Sequence, residues 1–96
     1  MKVRYSRRAT RDLASIHRYL SQRNPVGAAN VLAAIYAAIE FIRRHWHRVP
    51  RTNMPGVHGK LVRKYRFKVF YRVIEDGVVI EIVHIRHTSR QQWTGE

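Results

Sequence analysis

The amino-acid sequence predicts an α+β domain in the order β-α-α-β-β-β, with a helical hairpin packed on one face of a small, mainly antiparallel sheet. Three observations support this. Two apolar stripes at helical spacing occupy the first half of the chain. Runs of β-branched and aromatic residues follow Gly59. Asp76-Gly77 stands among them as a two-residue hairpin turn signal.

Each element has a local cause. Lys2-Val3-Arg4-Tyr5 alternates polar and apolar residues and reads as a first strand. Ser6 suits a helix N-cap, because its hydroxyl can accept a free backbone N–H of the first turn. Ala9, Leu13, Ile16 and Leu20 then recur at steps of four, three and four and form one apolar stripe. Asn24-Pro25 ends that helix and starts the next, since Asn caps well and Pro fits the first helical position. In the second helix Ala28, Leu32, Ile35, Ile39, Ile42 and Trp46 keep a four–three spacing, widened by Val31 and Ala38. Roughly 21 residues at ~1.5 Å each make a rod of about 31 Å.

From His47 to Gly59 the periodicity stops, and Pro50, Asn53, Pro55, Gly56 and Gly59 mark a loop long enough to suggest a functional role. Strands are expected at Leu61–Tyr65, Phe67–Ile74 and Val78–Arg86.

The 96 residues fit a single domain, 1–96. Nineteen Lys and Arg against six Asp and Glu give a formal charge of +13. Self-repulsion on that scale favours a polyanionic partner such as nucleic acid or an acidic protein. With no cysteine, disulfides, thiolate nucleophiles and Cys-based zinc sites are excluded. The basic N-terminus has no apolar segment after it, and the Val31–Ile39 run is too short to span a bilayer, so a cytoplasmic location without a membrane partner is expected. His45-x-His47 and His84-x-x-His87 lack carboxylate neighbours, and no metal or other cofactor is expected.

A two-residue turn at Asp76-Gly77 fixes the hairpin register. Val73 then meets Ile80, Tyr71 meets Ile82, Val69 meets His84 and Phe67 meets Arg86. On the other face Ile74 meets Val79, Arg72 meets Glu81, Phe70 meets Val83, Lys68 meets Ile85 and Arg66 meets His87. A bulge would shift the outer pairs by one. The first face suits helix packing and places His84 among apolar neighbours, as a hydrogen-bonded structural histidine.

The second face is basic. Lys60, Arg63, Lys64, Arg66, Lys68 and Arg72 supply six cations in thirteen residues, interleaved with Tyr65, Phe67, Phe70 and Tyr71. Cations bind phosphates and aromatic rings stack on unpaired bases, so the segment suits RNA. It suits an acidic peptide equally well, or a solvated outer face with aromatics as core filler.

The local sequence resembles the RelE/ParE toxin superfamily over nearly the whole chain. Asp12-Leu13 with Ile16 and Tyr19-Leu20 resembles the family's first helix, and Asn24-Pro25 with Ala28-Ala29 its helix junction. Val69-Phe70-Tyr71-Arg72-Val73 before Asp76-Gly77 is similar to its central hairpin. Ile82-Val83-His84-Ile85-Arg86-His87, then Arg90 and Trp93, resembles the ending of ParE-like and plasmid-stabilisation members.

The resemblance implies a growth-arresting toxin neutralised by a cognate acidic antitoxin, with a homodimer or a toxin–antitoxin hetero-oligomer as its assembly. Antitoxin or target binding would fall to Lys60, Arg63, Lys64, Arg66, Lys68, Arg72 and Trp93. RelE-like members are described as ribosome-dependent endoribonucleases acting on mRNA, and ParE-like members as inhibitors of DNA gyrase. Cleavage by a 2′-OH needs an acid, a base and phosphate-stabilising cations. Lys68, near the family's central-strand cation position, with Arg66, His87 and Arg90, would serve in a ribonuclease. The tail lacks the dense basic cluster and terminal Tyr of RelE, which favours the ParE-like branch and a non-enzymatic inhibitor. A basic RNA-binding module without toxicity is the third reading.

Overall fold

Ser6 begins the fold by joining three elements. Its Oγ accepts the Ala9 N–H at 3.0 Å and donates to the Val83 carbonyl at 3.0 Å, while its N–H donates to Ile82 O at 2.9 Å. The computed structural model describes residues 1–74, 77 and 79–89. Its elements are β1 (Lys2–Tyr5), α1 (Arg7–Arg23), α2 (Pro25–His45), β2 (His58–Val62), β3 (Phe67–Ile74) and β4 (Val79–His87). Short 3₁₀ turns occupy Trp46–Arg48 and Arg63–Tyr65.

The strand order is β1-β4-β3-β2, with β1 parallel to β4 and the other pairs antiparallel. This is the expected α+β architecture. The junction at Asn24 also behaves as expected: its N–H closes α1 on Leu20 O, its side chain accepts Gly27 N–H at 3.0 Å, and Pro25 opens α2. One polar residue therefore ends one helix and caps the next.

The predicted stripes form the core. From α2, Ala28, Val31, Ile35, Ala38, Ile39 and Ile42 are buried. Most of them pack with Val69, Tyr71, Ile80, Ile82 and Ile85 of the sheet, and Leu13, Ile16 and Leu20 of α1 pack against the same cluster. Each fully buried aliphatic side chain contributes about 1.5–3 kcal/mol by leaving water. The segment Pro25–Arg48, at a mean hydropathy of 1.6, is long and apolar enough by composition to cross a membrane, so the short Val31–Ile39 run understated its reach. In the fold its stripe covers the sheet.

Two expectations are corrected. The second strand is His58–Val62, not Leu61–Tyr65. Gly59 lies inside it, and Arg63–Tyr65 turns in 3₁₀ form to Arg66, which takes left-handed φ 59°. The inner hairpin pairs hold, with Ile74, Val73, Arg72 and Tyr71 opposite Val79, Ile80, Glu81 and Ile82. Beyond Tyr71 a bulge shifts the ladder: Phe70 meets His84, Val69 meets Ile85, Lys68 meets Arg86 and Phe67 meets His87. Val83 is the extra residue, and its carbonyl is the one held by Ser6. The turn residues Glu75, Asp76 and Val78 lie outside the described residues, while Gly77 has the positive φ, 85°, that such a turn uses.

Candidate functional site

The bulge decides which side chains share the outer face of the sheet. His84 leaves the expected helix-facing side and stacks on Phe70, with ring centroids 5.8 Å apart and planes 15° apart. It is buried and hydrogen-bonded, as a structural histidine should be: Nδ1 lies 2.7 Å from Asp12 Oδ2 and 3.2 Å from Arg8 Nε. Arg86 moves opposite Lys68. His87 moves to the other side, edge-on to the core residue Phe67 at 5.2 Å, with its Nδ1 accepting the Ser89 N–H at 3.1 Å.

The expected grouping of Arg66, Lys68 and His87 on one face is therefore corrected. Lys68 is on the outer face, His87 is on the helix side, and Arg66 sits in a corner where its carbonyl accepts Thr88 N–H. Arg90 and Trp93 lie outside the described residues.

The other cations also separate. Lys60 faces the helices, its ammonium 4.3 Å from the Phe41 ring centroid on α2, and so leaves the supposed basic face. Arg63 and Lys64 are exposed in the 3₁₀ turn, Lys64 beside the Tyr65 ring at 5.4 Å. Arg72 pairs in register with Glu81, but the Glu81 carboxylate is held by Arg4 of β1 at 3.3 Å. Of the interleaved aromatics, Phe67, Phe70 and Tyr71 give no stacking platform, being 8%, 3% and 0% exposed, while Tyr65 is half-buried beside Lys64. Recognition of unpaired bases by the three buried rings is excluded on that ground.

The outer face instead carries a cleft that no strand pattern announced. The loop before β2 folds over it, covering a small apolar cluster of Val57, Phe70 and Val83 with Met54 packed alongside. Thr52 holds the loop in shape, since its N–H and its hydroxyl both donate to Val57 O at 2.8 and 2.9 Å, and its Oγ accepts Met54 N–H at 3.2 Å. Arg51, Thr52, Asn53, Met54, Lys68, Phe70 and Arg86 line a cavity of about 290 Å³. The Lys68 ammonium and the Arg86 guanidinium stand 5.4 and 5.8 Å from the centre of the Phe70 ring, at cation–π range. Sequence reading named Lys68 but missed Arg51 to Met54 and Arg86. Only the suspiciously long loop hinted at them.

A strand, a helical hairpin and a meander closed by a parallel first strand define the fold of the RelE and ParE toxins. The chain belongs to the ParE toxin family of type II toxin–antitoxin systems, whose family model matches residues 3–92. Among solved structures it is similar to a chromosomal ParDE toxin–antitoxin system from P. aeruginosa, at 22% identity and a TM-score of 0.79, over 91% of this chain and 95% of that one. It is also similar to the YoeB dimer from Staphylococcus aureus, at 15% identity and a TM-score of 0.60, over 91% and 95% of the two chains. The intact E. coli RelBE toxin–antitoxin complex matches at 13% identity and a TM-score of 0.57, over 93% and 98%. These likenesses establish the fold. A comparison with curated proteins gives no match.

Proposed function

We propose that this ParE-family toxin arrests growth by inhibiting DNA gyrase and is neutralised by a cognate acidic antitoxin. One observation supports inhibition over RNA cleavage: the bulge in β4 sends His87 to the opposite face from Lys68. A phosphoryl-transfer site needs its proton-transfer group within hydrogen-bond reach of the atoms its cations stabilise. An acidic partner also answers the +13 charge, because complementary charge speeds encounter and offsets self-repulsion. The likeness to proteins solved as ParDE and RelBE toxin–antitoxin systems agrees with such a partner. This reading puts its action in the cytoplasm.

The test is a gyrase supercoiling assay with purified protein. Supercoiling should be blocked, and restored on adding the acidic protein encoded beside it. Unimpaired gyrase, together with cutting of mRNA in a translating extract, would replace this reading with the ribonuclease.

A further inference from the structure

We propose that the outward face of α1 is a docking surface for the sugar-phosphate backbone of duplex DNA. Ala9, Leu13, Ile16 and Leu20 turn one side of this 17-residue helix into the core. At about 100° per residue, Arg7, Arg11 and Arg18 fall within about 40° of one another on the opposite side. All three are exposed.

The stripe carries one sign of charge. Asp12 is the only acidic residue of α1, and its carboxylate is turned to His84 Nδ1 and the Ile85 N–H. Among the described residues no carboxylate pairs with Arg7, Arg11 or Arg18, whereas on α2 Arg43 and Arg44 share Glu40. A solvated helix face usually mixes signs, because like charges four residues apart destabilise a helix. Arg7 and Arg11 have that spacing. Arg7 also stands in a first turn without an acidic residue, where the positive end of the helix dipole disfavours a cation. A polyanion laid along the helix offsets both effects.

Surface chemistry selects the polyanion. The stripe's other exposed residues are Ala14, Ser15 and Gln22, with no large apolar side chain. Protein interfaces centre on apolar or aromatic anchors, so an acidic protein would find charge here but no core. Unpaired bases need rings to stack on, and Tyr19 lies about a quarter-turn away. Its ring is covered by the Arg23 guanidinium at 4.1 Å. The phosphates of a duplex require neither anchor nor ring. A helix about 10–12 Å across suits the roughly 12 Å major groove of B-DNA, while the deep, narrow groove of duplex RNA excludes it. From Arg7 to Arg18 the stripe runs about 16 Å, over which one DNA strand presents roughly five phosphates. The assignment holds whether or not gyrase is the target.

The experiment titrates the full chain into a short fluorescent DNA duplex and follows anisotropy over a series of NaCl concentrations. Arg11→Gln/Arg18→Gln should weaken binding roughly tenfold or more and lower the slope of log affinity against log salt by about two units. Arg48→Gln/Arg51→Gln removes the same charge from exposed residues between α2 and β2, and should change affinity less than about twofold at ~0.15 M NaCl. Arg7→Glu separates binding from folding. It suits the helix N-terminus and pairs with Arg11, so the melting temperature should rise by a few degrees while DNA binding falls more than about tenfold.

A second arm compares the same sequence as an RNA duplex and as a single DNA strand, both of which should bind several-fold more weakly. Equal losses for the two double variants would reduce the binding to diffuse attraction by the net charge and overturn the proposal. So would an RNA duplex or a single strand that binds as tightly as the DNA duplex. A glutamate-rich helical peptide that binds through Arg11 and Arg18 while the duplex does not would overturn it in favour of an acidic protein.

Discussion

Asp12 on α1 reaches the β4 strand, where its Oδ2 lies 2.7 Å from His84 Nδ1 and also accepts the Ile85 N–H at 2.9 Å. The contact falls where β1 has ended: β1 pairs only as far as Ile82, so the edge of β4 beyond the bulge is closed by a side chain instead of a strand. Asp12→Ala would strand a buried amide and part of a buried ring. The expected loss is about 2–4 kcal/mol, with Asp12→Asn losing less because it keeps an acceptor oxygen. Urea midpoints at fixed pH measure this. An unchanged Asp12→Ala midpoint would remove the contact from the account of the fold.

Ser6 serves a helix and a strand with one hydroxyl. Ser6→Ala should cost about 1–2 kcal/mol, the upper part of the range for an N-cap, because the Val83 carbonyl at the bulge loses its donor as well. Thermal unfolding should show a drop of several degrees in a domain of this size. Ser6→Thr, which keeps the hydroxyl, should recover most of it.

Tyr71 donates its hydroxyl to Trp46 O at 2.7 Å from within the core, and burial pushes its pKa up from 10.0. The folded state therefore favours the neutral phenol. Its contribution is complete below the ordinary tyrosine pKa of about 10 and is lost as pH rises beyond it, because the unfolded chain ionises first. Tyr71→Phe should be less stable than the parent by about 0.5–1.5 kcal/mol at pH 8, with the gap closing above pH ~10. A gap that widens with pH would contradict this.

The charge itself should be visible in stability. At low ionic strength the screening length is about 30 Å, longer than two of the molecule's principal extents, 26 and 23 Å. The repulsion among the cations is then almost unscreened. Raising NaCl to ~0.15 M shortens that length to about 8 Å and should raise the melting temperature. A melting temperature independent of salt would mean that the cations are already neutralised locally.

The helices were legible because their periodicity and caps are written in consecutive side chains: Ser6, Asn24 and Pro25 act where their chemistry says they should. The inner hairpin was legible for the same reason, since a two-residue turn leaves one register. The bulge at Val83 had no such signal. It is set by Ser6 and Asp12, some seventy residues away in sequence, which hold the carbonyl of Val83 and the amide of Ile85. That single displaced residue exchanged Arg86 for His87 beside Lys68 and so changed the chemistry of the face. The start of β2 was hidden by Gly59, which reads as a turn residue but serves as the floor beneath Lys68. Arg51 to Met54 could not be assigned to a cleft from sequence, because loop side chains acquire a common direction only when the loop folds back.

The parallel pairing of β1 with β4 makes the sheet depend on a contact that spans most of the chain. β1 precedes both helices, yet its partner, Val79–Ile82, follows the helices and the other strands. Until then the helical hairpin has nothing but a partial sheet to cover, and long-range pairing of this kind is slow to form. A chain interrupted before Val79 therefore lacks the strand that joins β1 to the rest of the sheet. The sheet is complete only once β4 has been made.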